Sequence, residues 1–150
     1  LGDVYKRQGQ EMVGVVNGME TVASAEELSQ KVGVPVSDLK DLPFTVEYTK
    51  YTNGWGEFAQ IDYEGVDADG DAQSLCYRKG TGEDDISGDY NVYEIEEAVD
   101  VTGTQVTLKG SADGYALAVW NEGGYAYAVS VTKKITKDEI LQIVEEIVKK

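Results

Sequence analysis

The sequence predicts an α+β fold: a curved antiparallel β-meander of about six or seven strands, with an N-terminal and a C-terminal helix packed on one face. Three observations carry that expectation. Across residues 44–131 apolar residues recur with a period of two, and turn residues interrupt the runs at intervals of roughly ten residues. Before and after this stretch, a capping signature opens a run of helical character. The chain has 150 residues, the size of one domain. At that size roughly 68–70% of the unfolded chain's surface leaves water on folding.

The elements follow in order. Ser24 stands ahead of Glu27 at capping-box spacing. Glu26 and Glu27 suit the positive end of a helix, and Lys31 suits its last turn. Gly33 suits the position past the end, and Pro35 blocks continuation. A helix over Ala25–Val32 results, and residues 35–43 read as a connecting loop. In the first strand Phe44, Val46 and Tyr48 share one face, and Thr45, Glu47 and Thr49 the other. Asn53-Gly54 is a hairpin signal, because both residues tolerate positive φ. The return strand is expected over 56–63, an acidic turn over 64–71 and a third strand over 73–79. In that third strand Leu75 and Tyr77 face one way, Cys76 and Arg78 the other. After a polar loop at 80–89, strands are expected over 91–101, 104–109, 115–121 and 125–131. Thr136 and Glu139 form a second capping box, with Ile135 and Ile140 at staple positions. Ile140, Ile143, Val144, Ile147 and Val148 then form a helical stripe that must cover the sheet.

Charge and composition remove several functions. Lys and Arg number 13, Asp and Glu 28, for a net charge of −15; there is no histidine and one cysteine. That charge opposes nucleic acid and anionic membrane, both polyanions. Without histidine there is no Ser-His-Asp or Cys-His machinery and no His-ligated zinc. One cysteine makes no internal disulfide. No run reaches the ~18 consecutive apolar residues of a membrane-spanning helix.

The candidate site residues are few. Asp67, Asp69 and Asp71 alternate like the opening of a calcium loop. Ala72 and Arg78 stand where that loop needs its glycine and final glutamate. A looser calcium site at the three carboxylates is weighed against a solvated turn, and calcium is the one cofactor the sequence suggests. Glu83, Asp84, Asp85 and Asp89 form a second acidic group. A carboxylate pair can hydrolyse a glycosidic bond, but neighbours within one loop read more simply as solvated surface. Tyrosine numbers 10 against 2 phenylalanines, which suits half-buried sheet faces and also binding surfaces. Trp55 follows the hairpin turn, and Trp120 alternates with Ala116 and Ala118 on a shallow face with room for a ligand or a helix. Trp55, Trp120, Tyr125, Tyr127 and Arg78 are therefore the candidate ligand- or partner-binding residues; no catalytic residue is assigned. Cys76 reads as a small buried hydrophobe.

Two stretches carry a resemblance. One is Tyr77-Arg78-Lys79 followed by an acidic loop that ends Ile86-Ser87-Gly88-Asp89-Tyr90-Asn91. The other is Val106-Thr107-Leu108-Lys109-Gly110, then Ala118-Val119-Trp120, then Tyr125-Ala126-Tyr127-Ala128-Val129 and the last helix. Together they resemble a family of unknown function among small secreted or lipid-anchored proteins of Gram-positive bacteria. The resemblance extends from Met12 onward. It implies a curved-sheet fold and a cell-envelope or secreted location, with any lipid anchor upstream; it brings no catalytic residues. Residues 1–8, Leu-Gly-Asp-Val-Tyr-Lys-Arg-Gln, resemble translated sequencing adaptor found at the ends of unrelated metagenome-derived chains. They are set apart, the native N-terminus is expected upstream, and 9–150 is read as a single α+β domain.

The expected function is a non-enzymatic, extracytoplasmic, lipoprotein-like domain that binds a protein partner or a small ligand. A calcium-dependent module using the acidic turns is the alternative. A carboxylate-based hydrolase ranks last.

Overall fold

The computed structural model describes residues 15–16, 19–82, 84–89 and 91–148. The adaptor-like residues 1–8, Glu83, Tyr90, Lys149 and Lys150 lie outside that set. The described elements are β1 (Val15–Val16), β2 (Met19–Val22), α1 (Ala25–Val32), β3 (Thr45–Gly54), β4 (Phe58–Val66) and β5 (Ala72–Thr81). They continue with β6 (Ile95–Val101), β7 (Thr104–Ser111), β8 (Gly114–Glu122), β9 (Tyr125–Ile135) and α2 (Lys137–Val148).

All strands pair antiparallel in one sheet, in the order β1-β2-β3-β4-β5-β9-β8-β7-β6. The fold is therefore a mostly-β antiparallel sheet with two short helices. Two features differ from the expectation. The described sheet has nine strands rather than six or seven. The meander also breaks once. After β5 the chain crosses to the far edge, and β6 to β9 return until Val129 of β9 pairs with Tyr77 of β5.

Both helices form where their caps predict. Ser24 Oγ accepts from the Glu27 N–H at 3.1 Å, and Gly33 ends α1 at φ 77° with its N–H on Ser29 O. Thr136 Oγ1 accepts from the Glu139 N–H at 3.1 Å, and a Glu139 carboxylate oxygen accepts from the Thr136 N–H at 2.8 Å. The two helices share one hydrophobic cluster. Leu28 of α1 and Ile140, Ile143, Val144 and Ile147 of α2 are buried against Ile61, Leu75, Leu108 and Val129 of the sheet. Register places Tyr51, Ile61, Tyr77, Val129 and Ala118 opposite one another on this covered face. The other face carries Gln60, Asp62, Cys76, Arg78 and Ser130.

Three local expectations shift. The turn is not at Asn53-Gly54, which close β3, but at Trp55 and Gly56, at φ 55° and 72°. Gly54 is required for another reason: a Cβ there would lie 2.3 Å from the Phe58 ring. The face that Val46 and Tyr48 are expected to share is interrupted by a bulge between them, and the two are 38% and 55% exposed. Residues 91–94 are loop, and strand begins at Ile95.

Candidate functional site

A pocket of about 210 Å³ opens on the helix-covered face. Its walls come from the segment 35–39, β5, the end of β8, the start of β9 and the end of α2. Val36, Leu39, Tyr77, Tyr127 and Ile147 give it an apolar lining, and Lys79 and Glu122 place opposite charges on it. The sequence explains the placement. Lys79 is in phase with Leu75 and Tyr77, so strand alternation brings a lysine onto the apolar face. Likewise Glu122 is in phase with Trp120 at the end of β8.

Lys79 is half-buried. Its Nζ lies 4.6 Å from the Tyr125 ring centre and 5.1 Å from that of Tyr127, within cation–π range, and donates to Pro35 O at 2.6 Å. Burial holds its pKa below the usual lysine value, against a smaller opposing pull from Glu122. The Glu122 carboxylate instead accepts from Thr104 Oγ1 at 2.9 Å. Burial also raises the Tyr77 and Tyr127 hydroxyls, with Tyr127 adding to the effect on Tyr77 and Glu122 to that on Tyr127. Beside the pocket, Trp120 stacks on Tyr127 with centroids 5.0 Å apart and planes at 5°. Trp120 is 5% exposed, and among the described residues its buried Nε1 finds no acceptor.

The segment that walls the pocket is pinned at each step. Ser29 Oγ accepts from the Val36 N–H at 2.9 Å. Tyr63 Oη accepts from the Leu39 N–H at 2.8 Å and donates to Asp38, which Tyr51 Oη also reaches. Glu146 of α2 accepts from the Lys40 and Asp41 N–H groups at 2.8 and 3.2 Å. A loop without regular structure is thus anchored to both helices and to β3 and β4, which presets the pocket wall.

The candidate binding residues divide between two faces. Tyr127 lines this pocket, Tyr125 lies against its Lys79, and Trp120 stacks behind Tyr127. Trp55 and Arg78 lie on the opposite face, joined through Phe58. The Trp55 ring meets Phe58 edge-on at 5.9 Å, and the Arg78 guanidinium stands 4.6 Å above the Phe58 ring. Arg78 is a clasp. It donates to Gln60 at 2.7 Å and to Ile86 O at 3.2 Å, tying down the chain that crosses between β5 and β6. Lys79, Tyr77 and Glu122 were missed by sequence reasoning, although the phase of Lys79 with Leu75 and Tyr77 is visible there.

The acidic groups have local partners. Asp67, Asp69 and Asp71 do converge, with ligand oxygens within 4.8 Å of one another. Lys133 Nζ lies 2.5, 3.6 and 2.8 Å from their carboxylates, so an internal ammonium stands where a cation would. Lys133 holds Asp67 below the usual carboxylate range, helped by the Asp71 and Asp69 N–H groups, and its own pKa is raised by Asp67 and then Asp71. In the second acidic group Asp85 accepts from the Ser87 N–H at 2.8 Å, while Asp89 accepts from the Asn91 N–H and from Tyr93 Oη. These carboxylates shape turns, the role such side chains have in Asx motifs. Burial, and then nearby Asp62, push the Cys76 thiol up to about 12.

Among the described residues no helix is long and apolar enough to cross a membrane. No family model matches the chain, and neither a curated protein nor a solved structure is found similar to it.

Proposed function

We propose that the domain is a non-enzymatic, extracytoplasmic binding module that takes a small ligand in the pocket at Lys79. One observation carries the reading. A half-buried ammonium flanked by tyrosine faces stands on a pocket of mixed apolar and polar lining whose wall is fixed by hydrogen bonds. Apolar surface with a few converging polar groups of shifted pKa is the usual form of ligand pockets. At about 210 Å³ it falls below the ≈ 300–1,000 Å³ typical of drug-sized ligands, so the ligand is small. The non-enzymatic part is supported by the missing histidine and by a Cys76 thiol too basic to serve as a nucleophile near neutrality. The location rests on the resemblance to secreted and lipid-anchored proteins alone, and fractionation of cells carrying the native gene tests it.

The binding claim is tested by amide chemical shifts during titration with a library of small carboxylates and amines. Binders are expected to move residues 35–39, 77–79 and 122–127, and the Lys79→Met variant is expected to lose the response. Shifts confined to the opposite face, around Arg78 and residues 84–93, would refute the assignment.

A further inference from the structure

Resting on that reading of the pocket, we infer that its ligand is a zwitterion of amino-acid size: one carboxylate, one ammonium and a compact apolar body. The pocket carries one charge of each sign; Glu122 attracts Lys79 at a distance, but among the described residues no hydrogen bond or ion pair joins the two. Lys79 Nζ spends a hydrogen bond on Pro35 O, and Glu122 Oε2 spends one on Thr104. Each charged group keeps unused capacity. An ammonium has three donors, and a carboxylate has two oxygens with about four acceptor sites. A ligand spanning the space between them meets a cation at one end and an anion at the other. Val36, Leu39, Tyr77 and Ile147 line the pocket with apolar surface for the rest of the molecule.

The net charge sharpens the choice. The chain carries −15, and the field of so acidic a molecule raises the cost of bringing in a simple anion. A simple cation is favoured by that field but meets Lys79 inside. A zwitterion has no net charge to be repelled, and its two ends answer both wall charges. The geometry thus selects for a pair of charges, whereas an ordinary anion site would need only Lys79. The size suits a small ligand, since about 210 Å³ lies below the ≈ 300–1,000 Å³ of drug-sized sites.

The test is calorimetry and thermal unfolding of the full chain with the free L-amino acids as probes. The N-acetyl and amide derivatives of the best binder follow, with benzoate and benzylamine as single-charge probes. At least one amino acid is expected to bind and to raise the melting temperature. Removing either ligand charge is expected to weaken binding by roughly tenfold or more. Lys79→Met and Glu122→Gln are each expected to weaken the amino acid, while only Lys79→Met weakens benzoate. Circular dichroism and ligand-free melts of the variants separate lost folding from lost binding. If benzoate or benzylamine binds through Lys79 or Glu122 and no amino acid does, the zwitterion assignment falls and the pocket remains a ligand site. An N-acetyl derivative that binds as well as its parent also overturns the assignment. If no probe binds, the pocket reading falls with it.

Discussion

Lys133 decides the character of the acidic turn by itself. Its ammonium sits within 3.6 Å of all three carboxylates, so the electrostatic demand of Asp67, Asp69 and Asp71 is met from within the chain. Millimolar calcium is therefore expected to leave the melting temperature unchanged. In Lys133→Met the three like charges lose their counter-ion, the melting temperature falls, and calcium but not magnesium restores part of it. A rise with calcium in the unsubstituted protein would sink this account. The acid limb follows the same contact. Asp67 has a folded pKa below its ordinary 3.8, so its contribution is full above 3.8 and is lost as pH falls through the depressed folded value. Losing Lys133 should therefore move acid unfolding to higher pH. The residue scale is also where sequence reading was blindest. Lys133 lies more than sixty positions from Asp67, and only the pairing of β5 with β9 brings them together. Cys76, expected as a small buried hydrophobe, is instead only half-buried, because its strand phase sets it on the open face between Asp62 and Ser130 rather than in the core. Its thiol, raised to about 12, should react with an aromatic disulfide at about pH 8 only after denaturant is added.

At the scale of elements, the caps and periods that predict α1 and α2 are local, and both helices form where they place them. Helix α2 carries the larger apolar burden, with Ile140, Ile143 and Val144 fully buried. Ile143→Ala is expected to cost about 2–5 kcal/mol, measured by urea unfolding, and deletion of residues 140–150 to abolish cooperative unfolding. A truncated chain with an unchanged melting temperature would show that the sheet does not need its cover. The β3–β4 hairpin was legible as a hairpin but not in its turn. Asn53-Gly54 has the favoured composition, yet the Phe58 ring occupies the space over Gly54 and the positive φ values fall on Trp55 and Gly56. Gly54→Ala should then destabilise through the ring, by about 1–3 kcal/mol. Adding Phe58→Leu should recover part of the loss, because the two sites are in contact and their effects do not add. A Gly54→Ala variant that Phe58→Leu fails to rescue would point to the backbone instead. β1 and β2 escaped notice for a plain reason: they are two and four residues long, too short to display alternation.

At the scale of the whole molecule, the crossing from β5 to the far edge joins distant segments, and no periodicity records it. Its result is one sheet whose covered face is rich in tyrosine, and this sets how the protein responds to alkali. Burial, with Asp38 adding to it, raises Tyr51 from 10.0 to about 12. Burial likewise raises Tyr63, Tyr77 and Tyr127 above that ordinary value. A tyrosine is neutral when protonated, so a raised folded pKa means that the folded chain binds protons the unfolded chain has released. Stability is thus fully present below the unfolded value of 10.0 and is lost as pH climbs from there through about 12. The same hydroxyls pin the pocket wall, since Tyr51 and Tyr63 both hold Asp38 and Tyr63 also takes the Leu39 N–H. Ionising Tyr63 removes the proton it gives to Asp38 and sets two anions side by side, so segment 35–39 and the sheet should let go together. In an alkaline titration the phenolate absorbance is expected to rise in two stages. The later stage is expected to coincide with loss of far-ultraviolet dichroism. Tyr51→Phe removes one of the coupled protons, so it should make unfolding less steep in pH. A single smooth phenolate transition centred near 10.0, with the fold intact, would mean that these hydroxyls are not buried in the network that holds the pocket.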